Sequence, residues 1–157
     1  MLLISASNKI TLKVEKYISA TINKDIEIIK NKFGKPYLKA NDMYFNISHT
    51  KAIGVAVIEK DECGIDVENI REYNDLIACK ICSRAEYEFL DKTAKKDYYF
   101  TALWVLKEAC LKCLGRGISI PMNKINFIKD NNLCLNIEGL NFDLLDYQGS
   151  IIAICRK

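Results

Sequence analysis

The stretch from Asp97 to Leu114 constrains this chain more than any other segment. Tyr99, Leu103, Leu106, Cys110 and Cys113 recur there at three- and four-residue steps, the spacing that lines apolar side chains along one stripe of an α-helix. Gly115 and Gly117 follow at once, supplying the residue type that most readily takes the left-handed turn ending a helix. A helix with one apolar stripe needs a second layer to cover it. The rest of the chain offers strands for that layer. Leu2–Ala6, Ile26–Phe33, Met43–Ser48 and Ala52–Ile58 are apolar and β-rich. The charged run Glu59–Glu62 predicts a hairpin turn, with Cys63–Glu68 as the return strand. Ile10–Ile22, Tyr73–Cys82 and Ser83–Lys92 have helical spacing, and Ser83 with Glu86 three residues on makes a capping box. Ile125–Ile128, Leu133–Ile137, Phe142–Tyr147 and Ile151–Cys155 read as a C-terminal antiparallel set. Helices and strands thus alternate in two similar halves, each ending in strands. That pattern predicts an α+β fold, a single domain over residues 1–157 with lobe one at about 1–70 and lobe two at about 71–157.

Four constellations carry chemistry. In Gly64-Ile65-Asp66-Val67-Glu68, strand alternation sends Ile65 and Val67 to one face and both carboxylates to the other. Like charges held so close repel, and a bound cation relieves the repulsion. A solvated strand face is the plainer alternative. On the long helix Trp104, Glu108 and Lys112 follow at i, i+4 and i+8 and share a face beside the apolar stripe. The alternative there is an exposed Glu–Lys pair of little energetic value. The glycine stop, with Arg116 just beyond Lys112, suits an anionic group at the helix end. His49, the one histidine, stands at the end of Phe45-Asn46-Ile47-Ser48 with Thr50 and Lys51 after it. Neighbours on a strand point apart, so Ser48 and His49 do not form a nucleophile pair. A Ser/His/Thr/Lys cluster at a strand end suits phosphate oxygens, although a lone histidine is more often structural. The turn Gly34-Lys35-Pro36-Tyr37 presents a lysine and is otherwise an ordinary turn.

Composition narrows the function classes. The net charge is +3, which favours an anionic ligand but is too weak, and too little clustered with aromatics, for nucleic acid. No apolar run has the length of a membrane span, and the N-terminus lacks the basic start and apolar core of a signal peptide, so a cytoplasmic protein is expected. The seven cysteines are an odd number without an export signal, which argues against a disulfide framework. Cys79-x-x-Cys82 and Cys110-x-x-Cys113 have zinc-like spacing but lie in helical stretches, where free cysteine acts as a small hydrophobe. A zinc-stabilised interaction domain is kept as the minor alternative.

Taken together, Gly34-Lys35-Pro36, Phe45-Asn46-Ile47-Ser48-His49, Gly64-Ile65-Asp66-Val67-Glu68, Ser83-x-x-Glu86-Tyr87 and Trp104-x-x-Lys107-Glu108-Ala109-x-x-Lys112, running on to Gly115-Arg116-Gly117-Ile118, resemble the 4′-phosphopantetheinyl transferase superfamily, in its larger pseudo-dimeric, surfactin-synthetase form. The resemblance spans about residues 10 to 155. It implies a fold of two similar lobes, each a helix packed on a small, mostly antiparallel sheet. It implies transfer of 4′-phosphopantetheine from coenzyme A to a serine of an apo acyl or peptidyl carrier protein, with release of 3′,5′-ADP. A magnesium ion, or manganese as the alternative, would be held by Asp66, Glu68 and Glu108, the strand and the helix thereby tying the first lobe to the second. Lys112 is similar to the lysine that reaches the transferred phosphate. Lys35, Ser48 and His49, with Lys107, match residues that hold coenzyme A, and Glu86 matches a carboxylate that helps deprotonate the serine. The segment before the Gly-Lys-Pro turn is shorter than in full-length relatives, which have a basic substrate-contacting cluster there. A monomer is expected, with a homodimer as the alternative. A non-catalytic coenzyme A or carrier-binding module of the same fold is the competing function.

Overall fold

The computed structural model describes residues 1–22, 26–39, 43–115, 120–137 and 139–157. Arg116, Gly117 and Ile118, the tail of the helix motif, lie outside the described residues. The chain runs through β1 (Leu2–Ala6), α1 (Ile10–Ile22), β2 (Ile28–Lys30), β3 (Pro36–Leu38), β4 (Tyr44–His49), β5 (Ile53–Glu59) and β6 (Cys63–Asn69). It continues through α2 (Asp75–Ile81), α3 (Arg84–Lys92), α4 (Lys96–Leu114), β7 (Ile128–Lys129), β8 (Asn132–Leu133), β9 (Asn136–Ile137), β10 (Leu140–Tyr147) and β11 (Ser150–Arg156). One sheet has the order β1-β5-β4 and the other β6-β11-β10-β9, with β2–β3 and β7–β8 as separate hairpins. Every pairing among the described residues is antiparallel. The α+β architecture of helix on antiparallel sheet is therefore present in both halves.

Side-chain alternation explains the layering. On β5, Ala56 and Ile58 face α1 and pack with Ile10, Val14 and Ile18. Val55 and Val57 face the other way and meet Cys63, Ile65 and Val67 of β6 and Ile152 and Ile154 of β11. The opposite face of β6 and β11 takes α4, whose Leu106, Ala109, Cys110 and Cys113 pack with Ala153 and Cys155. The molecule is thus layered helix, sheet, sheet, helix, with α1 on one side of the paired sheets and α4 on the other.

Two sequence expectations are revised. The predicted hairpin forms its turn, but its return strand joins the other sheet. β6 pairs with β11, Asp66 opposite Ala153, and only packs face-on against β5. Burial decides this: Ile65 and Val67 need the β5 face, and the backbone of β6 then finds its ladder in β11. The long helix is also more buried than a single stripe, with Phe100, Thr101, Ala102, Val105, Lys107 and Leu111 enclosed as well. α4 is covered by the sheet on one side and by α2, α3 and the Ile125–Phe127 segment on others.

The capping box at the start of α3 is present, Ser83 Oγ accepting from the Glu86 amide and Glu86 accepting from the Ser83 amide. Gly115 caps α4 with φ +64°, as its position predicts. All seven cysteines are free. Cys79 is exposed on α2 while Cys82, Cys110, Cys113 and Cys155 are buried. No helix among the described residues is long and apolar enough to cross a membrane.

Candidate functional site

Gly64 sets the distance between the elements that build the site. A Cβ placed on it would stand 2.1 Å from the Ala109 carbonyl oxygen and 2.4 Å from the Cys113 amide nitrogen. The backbone of α4 therefore lies directly on β6, a spacing that only glycine permits. Asp66 and Glu68 occupy the same face of β6 as Gly64, so this approach aims both carboxylates at α4. There Glu108 and Lys112, one turn apart, meet them.

Asp66 is the centre of the contacts. Its Oδ1 accepts from Lys112 Nζ at 2.6 Å and from Ser48 Oγ at 2.8 Å. Lys112 also donates to Ser48 Oγ at 3.1 Å. Asp66 is 5 % exposed, and its Oδ2 is buried with no hydrogen-bond partner among the described residues. Burial raises the Glu108 carboxyl above its ordinary range, the charges of Asp66 and Glu68 add to that rise, and Lys112 and Arg71 oppose it. Asp66, Glu68 and Glu108 thus feel one another as like charges with an unsatisfied oxygen among them. Among the described residues no three His, Cys, Asp or Glu side chains stand close enough to enclose a metal ion. The carboxylates share a neighbourhood, and Lys112 holds the nearest oxygen.

The first lobe closes the site from the other side. Asn46, on β4, is 4 % exposed and accepts the Ile65 amide of β6 at 2.9 Å, so one side chain stitches the edge of one sheet to the edge of the other. The turn between β2 and β3 is organised by Asn31, whose Oδ1 accepts the amides of Phe33 and Lys35 and whose Nδ2 donates to Gly115 O. Lys35 Nζ donates to Cys63 O and Cys113 O, both at 3.0 Å. This turn is thereby fastened to the start of β6 and the end of α4. Between it, β4 and α4 lies a cavity of about 290 Å³, whose walls include Phe33, Lys35, Asn46, Glu108, Lys112 and Gly115.

Lys35, Ser48, Asp66, Glu108 and Lys112 therefore converge at or beside this cavity, with Glu68 on the same face of β6. His49 is exposed at the end of β4 and is not in the cavity wall. Two further expected site residues, Lys107 and Glu86, stand apart from this group. Lys107 and Glu86 are fully buried and form an ion pair with each other at 2.8 Å. Lys107 spends its other two protons on the Met122 and Ile125 carbonyls. Glu86 accepts the Ser83 and Phe127 amides in addition. Together they clasp α3 to α4 and to the Ile125–Phe127 segment. Burial pulls the Lys107 ammonium below its ordinary range, against the pull of Glu86. Three residues at the site are given no role in the sequence expectations: Asn31, Asn46 and Arg71. Asn31 alone leaves a local trace, an asparagine three residues before a glycine in a turn.

The family model of the 4′-phosphopantetheinyl transferase superfamily matches residues 62–153, from the start of β6 into β11. The chain is 35 % identical over 117 residues to the 4′-phosphopantetheinyl transferase gsp of Aneurinibacillus migulanus, covering 71 % of this chain and 49 % of that one. It is 32 % identical over 106 residues to the 4′-phosphopantetheinyl transferase Sfp of Bacillus subtilis (strain 168), covering 65 % and 47 %. The chain thus spans about half the length of the curated relatives it matches. The crystal structure of Thermotoga maritima holo-[acyl-carrier-protein] synthase (AcpS) superposes with a TM-score of 0.50 at 20 % identity, over 60 % of this chain and 61 % of that one, which shows a common fold. By the match from β6 to β11, and by the Sfp-type relatives that share it, this chain belongs to the 4′-phosphopantetheinyl transferase superfamily.

Proposed function

We propose that this chain transfers 4′-phosphopantetheine from coenzyme A to a serine of an apo acyl or peptidyl carrier protein. The observation that carries this reading is the meeting of Ser48, Asp66 and Lys112 within 3.1 Å of one another beside a cavity that Glu108 also lines. In the transfer, the serine Oγ forms a bond to the β-phosphorus of coenzyme A. The bond from that phosphorus to the bridging oxygen breaks, 3′,5′-ADP leaves with the electron pair, and the serine proton passes to a carboxylate of the cluster or to water. Little covalent work falls to the protein; positioning and charge neutralisation carry the rate.

The donor set fits a hard divalent cation. Asp66 Oδ2 is an orphaned buried oxygen, and Glu68 and Glu108 add carboxylates of like charge to it. Magnesium keeps several waters and commonly takes one or two carboxylates plus substrate phosphates, so a protein cage of three ligands is not required. Magnesium, or manganese, would be held by one or two carboxylates drawn from Asp66, Glu68 and Glu108, with water completing its shell, and would supply charge neutralisation for the diphosphate. Lys112, already a donor to Asp66 and Ser48, is within reach of an incoming phosphoryl oxygen and exchanges one acceptor for another. Lys35, in the cavity wall, and Ser48 and His49, near the end of β4, would hold the nucleotide end of coenzyme A. The mildly basic chain suits an acidic carrier surface, and a monomer working in the cytoplasm is the expected setting.

The test is intact-mass measurement of a panel of apo carriers incubated with coenzyme A, magnesium and the purified chain. One phosphopantetheine of added mass on at least one carrier is expected, and Glu108→Ala removes it while the chain stays folded. Tight coenzyme A binding with no mass added to any carrier would overturn the reading in favour of a binding module.

A further inference from the structure

Arg71 follows β6 and is held in place twice. Its amide donates to Thr101 Oγ1 on α4, and its guanidinium lies 4.3 Å from the Trp104 ring centroid and 5.7 Å from that of Phe100. Stacking on tryptophan fixes the plane of the group without using any of its N–H donors. Trp104 stands one helical turn before Glu108, so the fixed cation lies beside the carboxylate cluster, and its charge acts on Glu108.

The Nε and Nη2 atoms of Arg71 are shut off from solvent and have no hydrogen-bond partner among the described residues. These are the two nitrogens whose N–H bonds run parallel along one edge of a guanidinium, the edge that grips two oxygens of a carboxylate or phosphate at once. A cation with that edge buried and empty is costly, and such an exception calls for a missing partner. Glu108 is near enough to sense the charge, but it does not bond to the edge. The geometry points to Arg71 as an oxyanion-binding residue of the site, its Nε–Nη2 edge receiving two oxygens of a diphosphate brought in beside Glu108. This rests on the transferase reading above and adds a residue to it. A phosphoryl group fits better than an acidic side chain of a docking protein, because the edge is buried beside Trp104 and the Glu108 carboxylate rather than presented on the outer surface.

The test compares the parent chain with Arg71→Gln and Arg71→Lys. Calorimetry with inorganic pyrophosphate and magnesium is the first readout, and it needs no turnover. The parent should bind, and Arg71→Gln should weaken binding about 10- to 100-fold, the range of a charge-assisted hydrogen bond. Arg71→Lys keeps the charge but not the edge and should recover little. Where the carrier assay gives turnover, Arg71→Gln should raise the KM for coenzyme A or lower kcat while leaving the KM for the carrier unchanged. Several results overturn the inference: no pyrophosphate binding by the parent, equal binding by Arg71→Gln, full rescue by lysine, a change confined to the carrier KM, or a lowered Tm with binding intact. Failure of the carrier assay alone, with pyrophosphate binding dependent on Arg71, would strike the transferase reading and leave this one standing.

Discussion

Replacing Gly64 by alanine tests the contact on which the site geometry depends. The added methyl carbon would fall 2.1 Å from Ala109 O and 2.4 Å from the Cys113 amide nitrogen. Favourable carbon contacts begin at about 3.5 Å, so roughly 1.4 Å of separation has to be found between β6 and α4. Neither atom is the end of a flexible side chain. β6 is held by its ladder to β11, and α4 is enclosed by the larger core, so the strain goes into backbone. Overpacking of this kind costs about 3 kcal/mol, which for a chain of this size lowers Tm by roughly 6–12 °C. The same shift moves Glu108 and Lys112 away from Asp66 and Glu68. A misplacement of about 1 Å costs on the order of 100-fold in rate. Differential scanning calorimetry and the carrier-mass assay read the two effects, and Gly64→Ala is expected to show both. A variant melting within a degree or two of the parent, or one that melts lower yet transfers at the parent rate, refutes the reasoning: the first denies the contact, the second denies that it sets the site.

The buried Lys107–Glu86 pair supplies a second expectation: Glu86→Gln strands an ammonium in the core and costs about 3–5 kcal/mol in urea denaturation. The double change Glu86→Leu with Lys107→Met is expected to be milder and, once folded, to retain transfer, whereas loss of transfer in that folded variant would return Glu86 to the chemistry. Asn46→Ala leaves the Ile65 amide buried without its acceptor, an expected loss of about 1–3 kcal/mol with faster hydrogen exchange at that amide; unchanged exchange would show that the two sheet edges are not joined there. At Glu59, burial opposes ionisation, but Arg156 and the N-terminal ammonium outweigh it and hold the carboxyl below its ordinary value of 4.5. A depressed carboxylate contributes stability that is present above that value and lost as pH falls through the folded-state value, so Glu59→Gln should flatten the acid limb of the stability curve, and an unaltered limb would count against the pair.

Much of the fold was legible locally. The bounds of β1 and α1 agree with the apolar spacing, and the Ser83 capping box and the Gly115 cap are local chemistry that reads directly from neighbouring residues. The opposite facing of Ile65/Val67 and Asp66/Glu68 is likewise a property of any strand. Residues 26–33 were harder. Their apolar run suggests one strand, but Asn31 captures the Phe33 and Lys35 amides and bends the chain, leaving Ile28–Lys30 as the strand. The loss is physical: a side chain competing for backbone donors leaves little trace in periodicity.

The sequence by itself determined which residue types stand at strand and helix positions, and therefore that Asp66, Glu68, Glu108 and Lys112 could share a site. It could not decide partners, because partners depend on distance through space. The tertiary structure alone decided that β6 ladders with β11 rather than with β5. It also decided that Glu86 pairs with Lys107, and that the Arg71 edge finds no acceptor among the described residues. The first two outcomes follow from burial: once a charged or hydrogen-bonding group is enclosed, it takes whichever complementary group the packing brings within about 3 Å. No local pattern records which group that is.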